Sequence, residues 1–347
     1  MMLTSRAAKG INHFAPHPRS KFEGYYSKFT LPSGASLALV VCSVPQAKTR
    51  PHMVSFTYVP HDTSKIFQKE LWVDNIARVS KENDAFELQV DGIGSVDVSS
   101  DSTTKYSLKH DSFAFEGITR NQVPWSGTKS TPEGLLVNLP LPLHWHVQSL
   151  SSKCDFSMKL TEYDYLPTAD AKGTAIVHQE KNWGQSFPSA HIWIQARREK
   201  YNLCIAGGHI LGMKAFLAAF RSPMQEIDFR PPLALSILGV SPFMRSKVDW
   251  NDRKVEFSVT GWTKKLAVTI KAPKGTFFGL SAPFYDGHRK NFLSQSFQAR
   301  AVVRVWERRW WQLFGGWSLT ETVDFEGASL EFGGDFYPDR GTDQRTH

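Results

Sequence analysis

Apolar residues return at every second position in short runs along this chain, and clusters of Gly, Pro, Asn, Asp and Ser cut the runs apart. In the first half such runs occupy 37–44, 53–58, 85–90, 94–98, 105–109, 112–117, 135–139, 144–149 and 157–163. The second half adds 254–260, 266–272, 298–306, 317–325 and 328–332. A period of two belongs to strands, because successive side chains point to opposite faces. Helix signals are few. Residues 74–80 read as a helical turn, and 212–220 as a short helix stopped by Pro223. The spacing predicts an all-β chain of antiparallel sandwiches or barrels. No internal repeat or low-complexity linker is evident, and 164–173 has the most linker-like composition.

One stretch departs from this pattern in its chemistry. Residues 173–195 read GTAIVHQEKNWGQSFPSAHIWIQ. Both ends alternate as strands, and Asn182, Gly184, Ser186 and Pro188 are turn formers. Charge within a buried strand is costly unless it is paired or used. The simplest arrangement is two paired antiparallel strands joined by a loop longer than two residues. The face carrying His178 and Glu180 would then meet the face carrying Trp193 and Gln195 across the ladder.

The motif HxEKNWGxxFPxxxxWxQ, with His178, Glu180, Lys181, Asn182, Trp183, Gly184, Phe187, Pro188, Trp193 and Gln195, resembles the signature of the tocopherol cyclase family. Phe22-Glu23-Gly24-Tyr25-Tyr26 before Leu31-Pro32 resembles its opening strand, with Tyr25 where the family usually has Trp. Leu143-His144-Trp145-His146-Val147 and Leu330-Glu331-Phe332-Gly333-Gly334 resemble its central and closing segments. The resemblance implies two lipocalin-like β-barrels packed together. On that basis the N-terminal domain is placed at 1–195, with 1–20 a flexible tail, and the C-terminal domain at 196–347.

The resemblance also implies cofactor-free ring closure of a prenylated phenol. A trisubstituted alkene is protonated, and the phenol oxygen captures the tertiary cation. Such a proton needs an acid shielded from water, and His178 with Glu180 suit that pair. Trp183, Trp193 and Trp145 offer electron-rich walls for a cation. Lys181 or Asn182 could hold a phenolic or carbonyl oxygen. Tyr25, His144, His146 and Gln195 complete the candidate lining. A second route uses the same wall, as in lipocalin-like fungal cyclases that act as Diels–Alderases or hetero-Diels–Alderases. Loss of water from a benzylic alcohol gives an o-quinone methide, which an alkene captures to give a dihydropyran. A non-catalytic carrier of such a lipophile is the third reading. A structural role also competes: Glu180 and Lys181 as an ion pair locking the barrels, Trp183 as a packing anchor, Glu23 as partner to a basic residue.

Composition narrows the remaining classes. Hydrophobic residues make up 41% of 347, with 11 Trp and 24 Phe, enough for a sizeable core and an aromatic cavity. No nucleotide-binding, zinc-protease or serine-hydrolase motif is present, so no cofactor is expected. His144 and His146 could ligate a metal, but no third ligand is evident, and none is expected. Three scattered cysteines with no C-x-x-C fit a reducing compartment. No apolar leader or 18-residue apolar run is seen, so a cytoplasmic location is expected. The net charge of +8 includes Arg304-Val305-Trp306-Glu307-Arg308-Arg309-Trp310-Trp311. As a strand, this run puts Arg304, Trp306, Arg308 and Trp310 on one half-solvated face. The expected partner is a hydrophobic small molecule rather than nucleic acid, with peripheral membrane contact left open.

Overall fold

The computed structural model describes residues 12–338, except 63–64, 128–130, 162, 165 and 313–315. Nearly all of it is antiparallel sheet. The first sheet contains β1 (Phe22–Thr30), β2 (Ser36–Ser43), β3 (His52–Val59), β4 (Phe67–Trp72), β5 (Ile76–Ser80), β6 (Phe86–Val90), β7 (Gly94–Val98), β8 (Thr104–His110), β9 (Phe113–Val123), β10 (Leu143–Leu160) and β11 (Lys172–Gly184). Its order is β4-β3-β2-β1-β11-β10-β9-β8-β7-β6-β5. The second contains β12 (Ala190–Arg198), β13 (Tyr201–Ile210), β14 (Met213–Arg221), β15 (Glu226–Phe229), β16 (Leu235–Ile237), β17 (Met244–Asp249), β18 (Lys254–Thr260), β19 (Lys264–Lys271), β20 (Phe278–Phe284), β21 (Gly287–Glu307) and β22 (Ser318–Gly334). Its main path is β15-β14-β13-β12-β22-β21-β19-β18-β17, with β16 beside β14 and β20 beside β21. In each sheet the last strand returns to pair with the first, so the two halves share a topology that no sequence repeat announces. Among the described residues no helix is long and apolar enough to cross a membrane.

Each sheet curls around its own core. Phe29, Phe56, Tyr106, Phe113 and Phe115 are buried in the first, and Phe220, Phe257, Trp250, Phe325 and Phe332 in the second. Two smaller clusters fill the space between the sheets. One joins Phe22, Cys42 and Met53 to Leu280, Phe292 and Phe297. The other joins Trp145 and Val147 to Trp193, Cys204 and Ala206. Strands at this junction are therefore buried on both faces and lose the apolar–polar alternation of a half-solvated sheet.

Several sequence expectations give way here. Strands β11 and β12 do not pair with each other. β11 lies between β1 and β10, and β12 between β13 and β22. Residues 185–189 carry the chain from one sheet to the other, and residue 195 lies inside β12. The expected helix over 212–220 is β14, because Phe216, Ala218 and Phe220 fill the second core while Leu217 and Ala219 face the first sheet. Residues 74–80 form β5 rather than a helical turn, and 135–139 fall in a 3-10 turn over Gly134–Asn138 rather than a strand. Of the tail expected over 1–20, residues 1–11 lie outside the described residues, and beyond them the Phe14 ring is buried in the first core.

Part of the linker-like segment forms a helix. A four-residue helix, α1 (Thr168–Ala171), buries Asp170 completely. Its Oδ2 accepts hydrogen bonds from Ser33 Oγ and Tyr58 Oη, both at 2.8 Å, tying α1 to β3 and the β1–β2 turn. Tyr58→Phe should cost roughly 1–3 kcal/mol, since a buried acceptor loses a donor. Urea unfolding followed by tryptophan fluorescence checks this; an unchanged midpoint would show that the contact carries no stability.

Candidate active site

The period-two phase of β1 and β11 sorts the signature residues onto two faces. Gly24, Tyr26 and Lys28 lie opposite Asn182, Glu180 and His178, and this set faces the second sheet. Glu23 and Tyr25 lie opposite Trp183 and Lys181, and this set faces the first core. Gly24 has a steric role: a Cβ there would stand 2.8 Å from Asn182 Oδ1 and 3.3 Å from Cys42 Sγ. Only a glycine lets the amide lie across β1.

Between the sheets is a largely apolar cavity lined by Tyr26, Trp145, Glu180, Trp193, His191 and Glu331, among others. The space between its walls, including the mouth, is about 1200 Å³. The enclosed part of it is about 170 Å³. Glu133, Asn182, Ser281 and Gln295 contribute polar groups to its wall, and two further carboxylates, Glu180 and Glu331, come one from each sheet and each pair with an imidazole. In the first, His178 Nε2 lies 3.0 Å from Glu180 Oε2, and the Trp193 indole N–H donates to the same oxygen at 3.1 Å. In the second, His191 Nε2 lies 3.2 Å from Glu331 Oε1, and Gln295 Nε2 donates to Glu331 Oε2 at 3.0 Å. Ladder register explains the second pair: Glu331 sits between Trp193 on β12 and Gln295 on β21.

The cavity perturbs these groups. Burial pushes the Glu331 carboxyl above the usual carboxylate range, and charge on Glu180 adds to that; the His191 contact opposes it. Burial likewise pushes the Tyr26 hydroxyl well above the phenol range, helped by Glu180 and Glu331. Lys28, buried opposite His178 and 5.3 Å from the Phe297 ring centre, is pulled down to about 8 by burial and by Arg197. Trp145 Nε1, His178 Nδ1 and His191 Nδ1 are buried without a hydrogen-bond partner among the described residues. Unmatched donors and acceptors around an apolar cavity are what a ligand or water would satisfy.

The opposite face of the motif builds a lock. Lys181 is fully buried; its Nζ lies 2.5 Å from Glu23 Oε1, 2.8 Å from His17 Nδ1, and reaches the carbonyls of Phe14 and Ala15. Arg78 holds the other Glu23 oxygen at 3.0 Å. Burial opposes ionisation of Glu23, but the His17 and Lys181 contacts outweigh it and hold its pKa at about 2. Burial pulls the Lys181 ammonium down to about 8, because its one carboxylate partner offsets the lost hydration only in part. Trp183 stacks between His17 (4.1 Å) and His144 (5.1 Å). The Tyr25 ring packs under Lys181 at 4.8 Å and against Phe14 at 5.4 Å.

Of the residues expected to form the site, the structure brings His178, Glu180, Asn182, Trp145 and Trp193 together at the cavity or directly behind it. Tyr25 reaches only its edge, with its ring in the first core. Lys181, Trp183, His144 and His146 belong to the other face. His144 Nδ1 lies 2.8 Å from Glu133, and His146, pulled down to about 3 by burial, lies beside Gln148. Lys181 pairs with Glu23 and not with Glu180. Gln195 lies farther along β12 against Ser329. The faces of β11 and β12 do meet as the sequence suggested, but through sheet-to-sheet packing rather than a ladder. Missed were Tyr26, His191, Gln295 and Glu331. His191 and Glu331 stood in segments the sequence singled out; only the fold pairs them.

No family model matches the chain, and no curated protein matches it in sequence. The resemblance to tocopherol cyclases therefore rests on its motifs. Solved structures do share the fold. CghA with Sch210972 superposes with a TM-score of 0.57 at 12% identity, over 90% of this chain and 88% of that one. An AttH-like protein of Nitrosomonas europaea gives 0.54 at 12%, over 96% and 98%. Kievitone hydratase of Nectria haematococca gives 0.53 at 11%, over 93% and 91%.

Proposed function

We propose that the protein is a cofactor-free cyclase that closes an oxygen-containing ring in a neutral, lipophilic phenol or related enol. The observation that carries this reading is the meeting of two carboxyl–imidazole pairs, from separate sheets, at one apolar cavity. A carrier needs the apolar walls but not two opposed proton-transfer pairs. The name of kievitone hydratase fits as well: hydration also moves a proton onto or off a small organic molecule, and it does so on this fold. CghA, on the same fold, was solved with Sch210972.

The state of Glu331 favours the dehydration route over direct protonation of an alkene. An alkene demands a strong acid, whereas a carboxyl with a raised pKa is a weaker one, suited to a leaving hydroxyl. In this route Glu331 gives its proton to a benzylic hydroxyl as the C–O bond breaks and water leaves. Glu180, backed by His178, takes the phenolic or enolic proton. The resulting quinone methide adds to the alkene, forming one C–O and one C–C bond with no net oxidation. Trp145, Trp193 and Tyr26 hold the chain folded over the reacting carbon. Proton exchange with solvent then restores both carboxyls.

The test is a panel of prenylated phenols, with and without a benzylic hydroxyl and with a separate alkene partner, followed by mass spectrometry. Turnover with loss of one water and formation of a dihydropyran is expected. An isomer of unchanged mass would select alkene protonation instead. Binding without turnover would leave the carrier reading.

A further inference from the structure

The basic, tryptophan-rich run at 304–311 has no part in the cavity. Strand β21 ends at Glu307, so Arg308, Arg309, Trp310 and Trp311 leave the sheet instead of continuing its face. Arg308 N donates to Thr263 O at 2.9 Å, and its side chain donates to Trp262 O at 2.5 Å, which brings the β18–β19 turn alongside. Three exposed tryptophans of the described residues lie here: Trp262 is 74%, Trp310 77% and Trp311 57% exposed. Met224 and Leu319 are exposed nearby, since Lys264 bonds Gln225 and Leu319 pairs with Trp306. Five cations (Lys264, Lys265, Arg304, Arg308 and Arg309) stand against three carboxylates, Glu226, Glu307 and Glu321. Lys265 covers Trp306, Arg308 covers Trp317 and Arg309 covers Trp311 at 4.5–5.3 Å.

We propose that this end of the second sheet, formed by residues 222–225, 261–264 and 308–312 with Leu319, docks on an anionic membrane surface. Indoles favour the boundary between headgroups and hydrocarbon, and Lys and Arg are drawn to anionic lipids. Exposed apolar side chains clustered this way mark interaction sites rather than ordinary surface. A bilayer fits better than a single-stranded nucleic acid. The indoles stand on loop tips, and Trp310 meets Trp311 edge-on at 89° instead of offering parallel platforms. Met224 and Leu319 have no stacking face at all. The patch lies at the Leu319 end of β22, whereas the cavity lies at the Glu331 end. Docking is therefore separable from chemistry, and the proposal stands whether or not the cyclase reading does.

Flotation of the full chain with phosphatidylcholine vesicles containing phosphatidylserine tests it. Wild type is expected to float with these vesicles, less with pure phosphatidylcholine, and less at high salt. The triple variant W262A/W310A/W311A should lose roughly tenfold or more in partitioning while keeping the wild-type melting temperature. Should that variant fold poorly, the surface charge reversal K265E/R309E, expected to lose a similar factor, carries the test. Wild type that stays with the soluble fraction, or variants that float as wild type does, would overturn the proposal. So would binding to a single-stranded oligonucleotide that excludes the vesicles.

Discussion

Glu331→Gln is expected to lower kcat by about 10²–10⁴-fold, the usual contribution of a general acid, with little change in stability. Gln is nearly isosteric and can still meet Gln295 and His191, but it has no carboxyl proton to deliver. The pH profile gives an independent check. A group that must be protonated to act loses activity as pH rises through its pKa, and that of Glu331 is raised by burial and by Glu180. The wild-type falling limb should therefore lie above the ordinary carboxylate range and vanish in the variant. The same sign holds for folding: with its folded pKa above the unfolded value, Glu331 favours the folded state at low pH, and that contribution is lost as pH rises through the folded pKa. Glu180→Gln should lower kcat comparably by removing the base. His178→Ala should act less strongly, because His178 backs Glu180 rather than lining the cavity. Unchanged turnover in both Gln variants would mean that cavity shape alone directs the reaction.

The all-β character was legible because period two is a local signal. What was not legible is which strands pair. The alternating ends of 173–195 look like a hairpin, yet their ladder partners are β1 and β10 on one side and β13 and β22 on the other. Local alternation fixes which residues share a face, and it does separate His178, Glu180 and Asn182 from Lys181 and Trp183. Treating the whole motif as one wall ignored that phase. The phase also makes Tyr26 rather than Tyr25 the cavity phenol. Glu331 needed long-range register: only the β12–β22 and β21–β22 ladders set it beside His191 and Gln295. The 212–220 run reads as helix by propensity, and its packing on both faces of the sheet overrides that preference. Glu23 as partner to a basic residue was readable, since a lone acid in a buried opening strand requires one.

The lock beneath the cavity should fail in a different way. Glu23→Gln removes the carboxylate that Lys181, Arg78 and His17 share, and leaves a fully buried ammonium without its counter-charge. Breaking one side of such a pair costs roughly 3–5 kcal/mol. Acid linkage gives a consistent figure: moving a carboxyl from 4.5 to about 2 corresponds to roughly 3 kcal/mol. The sign follows from the depressed folded pKa. The contribution is complete above the unfolded pKa and disappears as pH falls through about 2. Urea midpoints measured between pH 7 and the acid limit should show this slope in wild type and not in the variant. Adding Lys181→Met should restore part of the loss, because the second substitution removes the stranded charge. A Glu23→Gln protein as stable as wild type, with the same acid slope, would show that the N-terminal segment is held by the Phe14 ring alone.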